Sequence, residues 1–425
     1  MKALFGAGIS GTALLLLFGL LYDRRNLRIA LGGGWWLTAI AVLVFGANLS
    51  IALFPGRTSY PLGATVLLFL VCACVASRLD DVLGGRSAWQ RAAWGLHGAL
   101  VGWCFVVDLT TRPGVVGDRW ITYVVATILW LGTGLLAAGI TLRPAGLAYA
   151  GSALLVFMTL PAVAADSFWI PCNQLFEKCS PAGQLFRSFV SSENYIAIVA
   201  AFTFIAALGA LRGVLRILAL ANSGVVLVAT GSRTGMVAVL AAMGVLALLA
   251  LLRRRGSPVD RVSRALAFLM SAAAVATALA LIFSATMNTL SKRGSIWIAV
   301  RNHIDDHLLA GIGVSKWSYF QDVGESPQHF FHSGYALALF SGGVVAVVLL
   351  GAWLFCLLRG AVGGSVVAVV VPLTSLFMIY STTEVIWNPL AFDGLSWLAV
   401  GLTCLIGRPS SVAASRPPAA VVGAR

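Results

Sequence analysis

Long apolar runs constrain the fold of this chain more than any other feature of its sequence. They recur from one end to the other, and each is long enough, at about 20 residues, to cross a bilayer as a helix. Hydrophobic residues make up 59% of the 425 positions and charged residues only 10%, a balance that soluble domains do not show. Only helices or closed barrels satisfy backbone polar groups in lipid. Because the alternating pattern of barrel strands is absent, the sequence predicts an all-α, polytopic integral membrane protein.

Thirteen apolar stretches are candidates for transmembrane helices, and we expect about 12 to 13 spans. Residues 1–406 are expected to form a single transmembrane domain. Residues 407–425, rich in Ser, Ala and Pro, are expected to form a disordered cytoplasmic tail. The candidate spans are residues 3–21, 29–52, 62–77, 92–109, 120–141, 145–164, 194–210, 214–230, 234–252, 265–284, 333–358, 364–381 and 389–406.

The distribution of basic residues predicts the orientation of the chain, whose net charge is +14. Eighteen of the 29 Lys and Arg residues fall in connections on one side of the predicted spans, and that side is expected to be cytoplasmic. The loops at residues 165–193 and 285–332 then face outward. A basic chain can also bind nucleic acid, but no basic–aromatic repeat supports that function here.

The outer loop at residues 285–332 holds the densest group of titratable side chains. Four of the five histidines lie between residues 303 and 332, together with several Lys, Arg, Asp and Glu residues. Ionisable groups are costly near hydrocarbon, so this concentration indicates a functional site. The alternative is a solvated polar loop without a catalytic role.

An amphipathic helix is predicted inside this loop and is expected to lie at the membrane surface. Gly311 is suited to its C-terminal cap. Arg301 and Asp305 have the i, i+4 spacing of an ion pair. The apolar stripe, with one residue in every four, consists of Ile296, Val300, Ile304 and Leu308.

The segment from Ala229 to Gly235 interrupts two apolar spans at the predicted outer face. Thr230 or Ser232 can cap a helix that begins near Arg233. A helix N-terminus beside an arginine can bind an anion, and the guanidinium suits phosphate because it donates two hydrogen bonds at once. The alternative is an arginine that only reaches the lipid headgroups.

His329 and His332 lie three residues apart before the next span. A zinc site would need further ligands at a familiar spacing, and these are missing. A single histidine acting as general base is the simpler hypothesis, and an interfacial histidine without a role is the alternative.

Several other polar or aromatic side chains near the outer face could contact a glycan. Glu193 and Asn194 could bind sugar hydroxyls or merely cap a helix, and Glu384 lies near the outer end of the span at 364–381. The candidates for glycan binding are Glu193, Asn194, Trp297, His329 and Glu384.

Cys172 and Cys179 share the polar loop at 165–193. They can form a disulfide if that loop faces an oxidising compartment, and two free thiols are the alternative. Because no Asp-x-Asp is expected to face outward, we predict neither a metal site nor a cofactor.

Five short motifs, taken in order over residues 190–345, resemble those of the O-antigen ligase superfamily. This superfamily includes lipopolysaccharide O-antigen ligases and Wzy-type polysaccharide polymerases. The motifs are Glu193-Asn194-Tyr195, Gly231-Ser232-Arg233-Thr234-Gly235, Arg293-Gly294-Ser295-Ile296-Trp297, Leu309-Ala310-Gly311-Ile312-Gly313, and His332-Ser333-Gly334-Tyr335 followed by Gly342-Gly343.

The resemblance implies a C-type glycosyltransferase fold and a glycan donor carried on undecaprenyl diphosphate. Arg233 and Arg293 match the positions of pyrophosphate-binding arginines, and Arg301 is a further candidate. His332 matches the general base. The family often has His-Asn where this chain has His332-Ser333, and His329 offers a competing imidazole.

The expected activity is metal-independent, inverting transfer of a glycan to a hydroxyl of a lipid or glycan acceptor. It would take place at the outer, periplasmic face of the cytoplasmic (inner) membrane, as in an O-antigen ligase. A Wzy-type polymerase of O-antigen or exopolysaccharide units would use the same residues. A lipid-linked glycan flippase is a third hypothesis, but a transporter should carry ionisable groups at mid-span, whereas the charges here cluster at the outer face. A membrane scaffold without enzymatic activity is a fourth.

Overall fold

The computed structural model describes residues 1–22, 87–111, 142–163, 166–172, 178–190, 192–254, 259–290, 293–361, 366–389 and 395–406. The predicted spans at 29–52, 62–77 and 120–141 and the predicted tail at 407–425 lie outside these residues. The regular secondary structure within them is helical except for one small hairpin, which confirms the all-α class. The helices are α1 (Lys2–Tyr22), α2 (Ala88–Thr111), α3 (Pro144–Thr159), α4 (Glu193–Ala210), α5 (Gly213–Ala229), α6 (Arg233–Arg254), α7 (Val259–Phe283), α8 (Gly294–Ile304), α9 (Ser315–Asp322), α10 (Gly334–Gly360), α11 (Val367–Thr383) and α12 (Ser396–Leu405).

The helices of the described part are long and apolar enough for a multi-pass membrane protein. Five of them meet the length and hydropathy of a span, namely Lys2–Tyr22, Ala88–Thr111, Glu193–Ala210, Arg233–Arg253 and Gly334–Gly360. Shorter apolar helices are Pro144–Thr159, Gly213–Ala229, Phe268–Phe283 and Val367–Thr383. The last of these is α11, and it is enclosed on nearly all sides because it packs against α4, α6, α7 and α10.

Helix α10 is broken near its start, at Gly342 and Gly343, where Gly343 has a φ of +63°. Backbone groups inside a membrane need partners, and the outer loop provides them. A side chain at Gly311 would lie 2.5 Å from the nitrogen of Gly343, so glycine allows the two segments to touch. Two hydrogen bonds to the outer loop replace bonds of the helix: Ile312 N donates to Phe340 O at 2.9 Å, and Val344 N donates to Leu308 O at 2.9 Å. A third comes from α2, where the Trp103 indole donates to Gly342 O at 2.8 Å.

A second anchor ties the outer loop to α2. The buried carboxylate of Asp108 accepts a 2.8 Å hydrogen bond from the Ser315 hydroxyl and longer ones from the Ser315 amide, at the start of α9. Gly313, with a φ of +87°, leaves room for this carboxylate. The loop is therefore held against α10 at residues 308–312 and against α2 directly afterwards, at Gly313 and Ser315.

The helix inside the outer loop is shorter than predicted. It ends at Ile304 and continues only as a 3-10 turn over Asp305–His307. Ile296, Val300 and Ile304 are buried as expected, whereas Leu308 is 42% exposed.

The partner of Arg301 also differs from the prediction. Its Nη1 donates to the carbonyl of Phe283 at 2.7 Å, at the last residue of α7. Ion pairs formed by the described residues do not include the expected one between Arg301 and Asp305. A cation is favoured at a helix C-terminus, and this explains why the guanidinium turns towards α7.

A small hairpin precedes α4. Strands β1 (Trp169–Pro171) and β2 (Gln184–Phe186) pair antiparallel. Just beyond β1, Cys172 forms a disulfide with Cys179, with the Cα atoms 4.7 Å apart. The disulfide links the end of β1 to the segment at Cys179 that precedes β2.

Candidate functional site

Three helices begin where α11 ends, and this convergence defines the candidate site. The starts of α6, α8 and α10 each contact the segment from Ser381 to Glu384. The first amides of a helix have no partner within the helix, and the helix dipole makes this end positive. Residues from three separate sequence motifs therefore meet in one region, at the positive ends of three helices.

The start of α6 is shaped by the turn that precedes Arg233. Gly231 has a φ of +63°, and the Ser232 hydroxyl accepts a 3.3 Å hydrogen bond from the amide of Gly235. Ser232 is therefore the N-terminal cap, as one of the two alternatives predicted. Arg233 is the first residue of the helix, and its side chain is exposed.

Gly235 allows α6 to approach α11 closely. A Cβ atom at this position would overlap the Tyr380 hydroxyl and come within 2.8 Å of a Leu227 methyl group. The preceding residue, Thr234, also contacts the end of α11. Its hydroxyl accepts a 3.1 Å hydrogen bond from the Thr383 hydroxyl. These contacts fix the position of Arg233 relative to the end of α11.

Arg293 lies immediately before α8 and binds the end of α11. Its Nη2 contacts Glu384 Oε1 at 2.6 Å, and its Nη1 donates to the carbonyl of Thr383. A guanidinium has five N–H donors, so three remain for another partner. Gly294 is required beside it because any Cβ would overlap the carbonyl of Thr286.

His332 lies at the end of the outer loop, one residue before the cap of α10. Its φ of +47° is unusual for a residue with a side chain. Ser333 caps α10 by accepting from Ala336 N at 3.2 Å, and its hydroxyl donates to the carbonyl of Ser381 at 3.1 Å. These bonds hold the His332 backbone in its strained conformation.

Glu384 joins Arg293 to His332. Its side chain is only 8% exposed; one carboxylate oxygen contacts Arg293, and the other lies 3.6 Å from His332 Nδ1. Burial alone would raise the pKa of Glu384, but its interactions with His332 and with the charge of Arg293 hold that pKa below its ordinary value. The carboxylate is buried and both of its oxygens face protein side chains, so glycan binding by Glu384 stays a prediction.

A second polar cluster lies beside the first. Lys178 Nζ contacts Glu193 Oε1 at 2.5 Å and Asn194 Oδ1 at 2.7 Å, at the start of α4. Sequence reasoning missed Lys178, because a single lysine in an irregular loop follows no periodic pattern. The neighbouring Cys179 carbonyl would lie 3.2 Å from a side chain at Gly231, so the disulfide loop rests on the turn before Arg233.

Several predicted residues lie elsewhere. Trp297 is fully buried and donates to the carbonyl of Phe331 at 3.2 Å, so it packs in the core and is not exposed to a glycan. His329 is exposed, with its ring 6.1 Å from that of His332. His303 stacks on Phe320 instead of joining the site.

The described residues do not bring together three or more His, Cys, Asp or Glu side chains that could hold a metal ion. The charged groups at the site are those that bind anions and exchange protons, namely guanidinium, imidazole and carboxylate.

Comparison with known proteins gives one match. The family model described as O-antigen ligase matches residues 217–351, which include Arg233, Arg293 and His332. No curated protein and no solved structure matches the chain. The matched residues run from α5 into α10 and contain the outer loop. They support the resemblance of this multi-pass membrane protein to the O-antigen ligase superfamily, whose members are membrane enzymes of the ligase and polymerase type.

Proposed function

We propose that the protein is an O-antigen ligase that transfers a glycan from an undecaprenyl-diphosphate carrier to an acceptor hydroxyl. The reaction takes place at the periplasmic face of the cytoplasmic membrane. The observation that carries this proposal is the convergence of three helix N-termini, with Arg233 and Arg293, beside His332. Such a region suits a diphosphate on one side and a proton acceptor on the other.

Arg233 and Arg293 are assigned to the diphosphate of the donor. Arg233 is exposed at the start of α6, and Arg293 keeps three N–H donors after binding Glu384 and Thr383. As the glycosidic bond breaks, negative charge grows on the leaving phosphate, and fixed donors stabilise it. Arg301 is given no part in this step, because its guanidinium is held at the end of α7.

His332 is assigned as the general base. It removes the proton of the acceptor hydroxyl while that oxygen attacks the anomeric carbon from the side opposite the diphosphate, which inverts the configuration. We propose that arginines and helix ends stabilise the leaving group in place of a metal ion. Lys178, Glu193 and Asn194 lie next to the Arg233 turn and are placed to meet the first sugars of the donor.

Deletion of the gene tests the proposal and separates it from the polymerase alternative. Long glycan chains that accumulate on the lipid carrier, with none on the terminal acceptor, are the expected result. Single repeat units on the carrier would indicate a polymerase instead. Carrier-linked glycan held at the cytoplasmic face would indicate a flippase and contradict both.

Complementation then tests the site. A plasmid copy should restore transfer, and a copy with Arg233→Ala should not, although the protein is present in the membrane at the normal level. Full restoration of transfer by this variant would show that Arg233 is not part of the functional site.

A further inference from the structure

We propose that the Cys172–Cys179 disulfide controls binding of the donor, because it holds Lys178 and Cys179 against the start of α4 and the turn before Arg233. We refer to Cys172, Lys178 and Cys179 as the disulfide clamp. This inference rests on the proposed function, since it assigns the diphosphate of the donor to Arg233. The family comparison does not include the disulfide clamp, which lies before the matched residues 217–351.

Lys178 ties the disulfide clamp to the start of α4. Its Nζ contacts Glu193 Oε1 at 2.5 Å and Asn194 Oδ1 at 2.7 Å. The side chains of Lys178 and Glu193 are only 17% and 16% exposed, so the ion pair is mostly shielded from water. Solvent and salt screen such a pair less than they screen a surface pair, and it therefore holds Lys178 to α4.

Cys179, the next residue, rests on the turn that precedes α6. A Cβ atom at Gly231 would come within 3.2 Å of the Cys179 carbonyl oxygen and within 2.8 Å of a Leu185 methyl group. The φ of +63° at Gly231 also favours glycine at this position. Because Ser232 and Arg233 follow directly, a displacement of Cys179 removes support from the turn that places Arg233.

The hairpin beside the disulfide clamp is small, and the disulfide adds the restraint that it lacks. Strands β1 and β2 pair over three residues each, and a two-stranded hairpin is at best marginally stable by itself. Leu185 and Phe186 are buried and anchor β2, whereas Cys179 is exposed and lies outside the paired strands. A covalent link to the end of β1 therefore sets the position of Cys179.

Oxidation and reduction of the cysteine pair give the two states of this control. When the S–S bond forms, the two thiols lose two protons and two electrons, and a disulfide-bonded oxidoreductase of the outer compartment accepts them by thiol–disulfide exchange. A dithiol such as dithiothreitol returns two protons and two electrons, which breaks the S–S bond and leaves two thiols. Cys179 is exposed, so reagents in water reach the bond. The donor site is then complete only on an oxidising side of the membrane.

Binding of undecaprenyl diphosphate without a glycan tests the inference. This probe reports on the arginine site and has no sugar that Lys178 could contact. The purified protein in detergent would be titrated with the probe before and after treatment with dithiothreitol. We expect reduction to weaken binding about tenfold, as for one misplaced charge-assisted hydrogen bond, and reoxidation to restore it. The double variant Cys172→Ser, Cys179→Ser should bind as weakly as the reduced parent protein, with or without dithiothreitol.

The transfer reaction should show the same control in its donor KM. Reduction should raise the donor KM by a similar factor and change kcat less. Arg293, Glu384 and His332 are held by contacts among α8, α10 and α11, which the disulfide clamp does not supply.

Lys178→Met is a second test variant, which leaves the disulfide in place. It keeps the length of the side chain and removes the charge that binds Glu193 and Asn194. Binding of the same probe should weaken, because one of the two contacts of the disulfide clamp is lost. Asp166→Asn is the matched control, since it removes the exposed ion pair to Lys2 from the same outer segment. This variant should bind the probe as the parent protein does.

The outcomes separate this inference from the proposed function. Equal binding by the oxidised and reduced protein, or unchanged binding in Lys178→Met, would overturn the inference alone. Weakened binding in Asp166→Asn would also overturn it, because any disturbance of the outer segment would then have the same effect. If thermal unfolding shows that reduction unfolds the protein, Lys178→Met decides. An oxidised parent protein that does not bind undecaprenyl diphosphate would overturn the proposed donor itself, and the inference with it.

Discussion

Gly235→Ala should disable the enzyme although it adds a single methyl group and leaves every charge in place. Gly235 lies on the face of α6 that touches α11, where its new Cβ would overlap the Tyr380 hydroxyl and approach Leu227 to 2.8 Å. Tyr380 is fully buried and cannot swing away freely. The start of α6 must therefore move away from α11, and it carries Arg233 with it.

The size of the effect follows from the overlap. Ordinary van der Waals contact between the new Cβ and the Tyr380 hydroxyl oxygen requires a separation greater by about 1 Å than the overlap leaves. If Arg233 is displaced by about that distance, the rate can fall about a hundredfold. Overpacking of this kind also destabilises a protein by about 1 to 3 kcal/mol. The loss of activity should therefore exceed what the loss of folded protein explains.

Gly244→Ala is the matched control on the same helix. A Cβ atom at Gly244 would meet nothing within 4 Å, and replacing glycine by alanine inside a helix is favourable by about 1 kcal/mol. Both variants would be purified in detergent, compared by thermal unfolding and assayed for transfer after reconstitution. Equal activity of the Gly235 and Gly244 variants would refute the argument that this close contact positions Arg233.

Three further predictions follow from the same site. Arg233→Lys should lose about a hundredfold in rate and weaken donor binding, because an ammonium cannot make the planar two-donor contact to a diphosphate; an unchanged rate and donor KM would show that Arg233 only anchors the helix end. Transfer should continue in EDTA, and loss of activity that magnesium or manganese restores would contradict the proposed arginine-based stabilisation. After reduction, Cys172 and Cys179 should react with a membrane-impermeant thiol reagent on spheroplasts, and labelling that requires lysis would reverse the proposed topology.

The membrane-spanning helices and the N-terminal cap of α6 were predictable from local sequence. Apolar length alone identifies a span, and the cap at Ser232 follows from residue type and position. Arg233, Arg293 and His332 were selected as site residues by their motifs, and the structure brings the ends of their helices to one place.

Long-range contacts were not predictable in the same way. Glu384 is 91 positions from Arg293, and nothing in its own segment indicates that its carboxylate is buried between a guanidinium and an imidazole. The burial of Trp297 and the turning of Arg301 towards α7 likewise depend on neighbours that are distant in sequence. A tryptophan on an amphipathic helix can face a ligand or the core, and only tertiary packing decides which.

The break in α10 makes the outer loop a structural part of the membrane domain. Because residues 308–312 provide backbone bonds that α10 lacks at Gly342 and Gly343, the helix is complete only after the loop has docked. Insertion of this span and folding of the loop are therefore coupled, and the loop cannot open as a whole in the manner of a lid. An epitope tag placed after Gly324, whose surroundings are open, should be tolerated, whereas the same tag after Ala310 should prevent stable accumulation in the membrane. In this respect the loop behaves as a re-entrant segment of the bundle, held at its centre and free only at its tip.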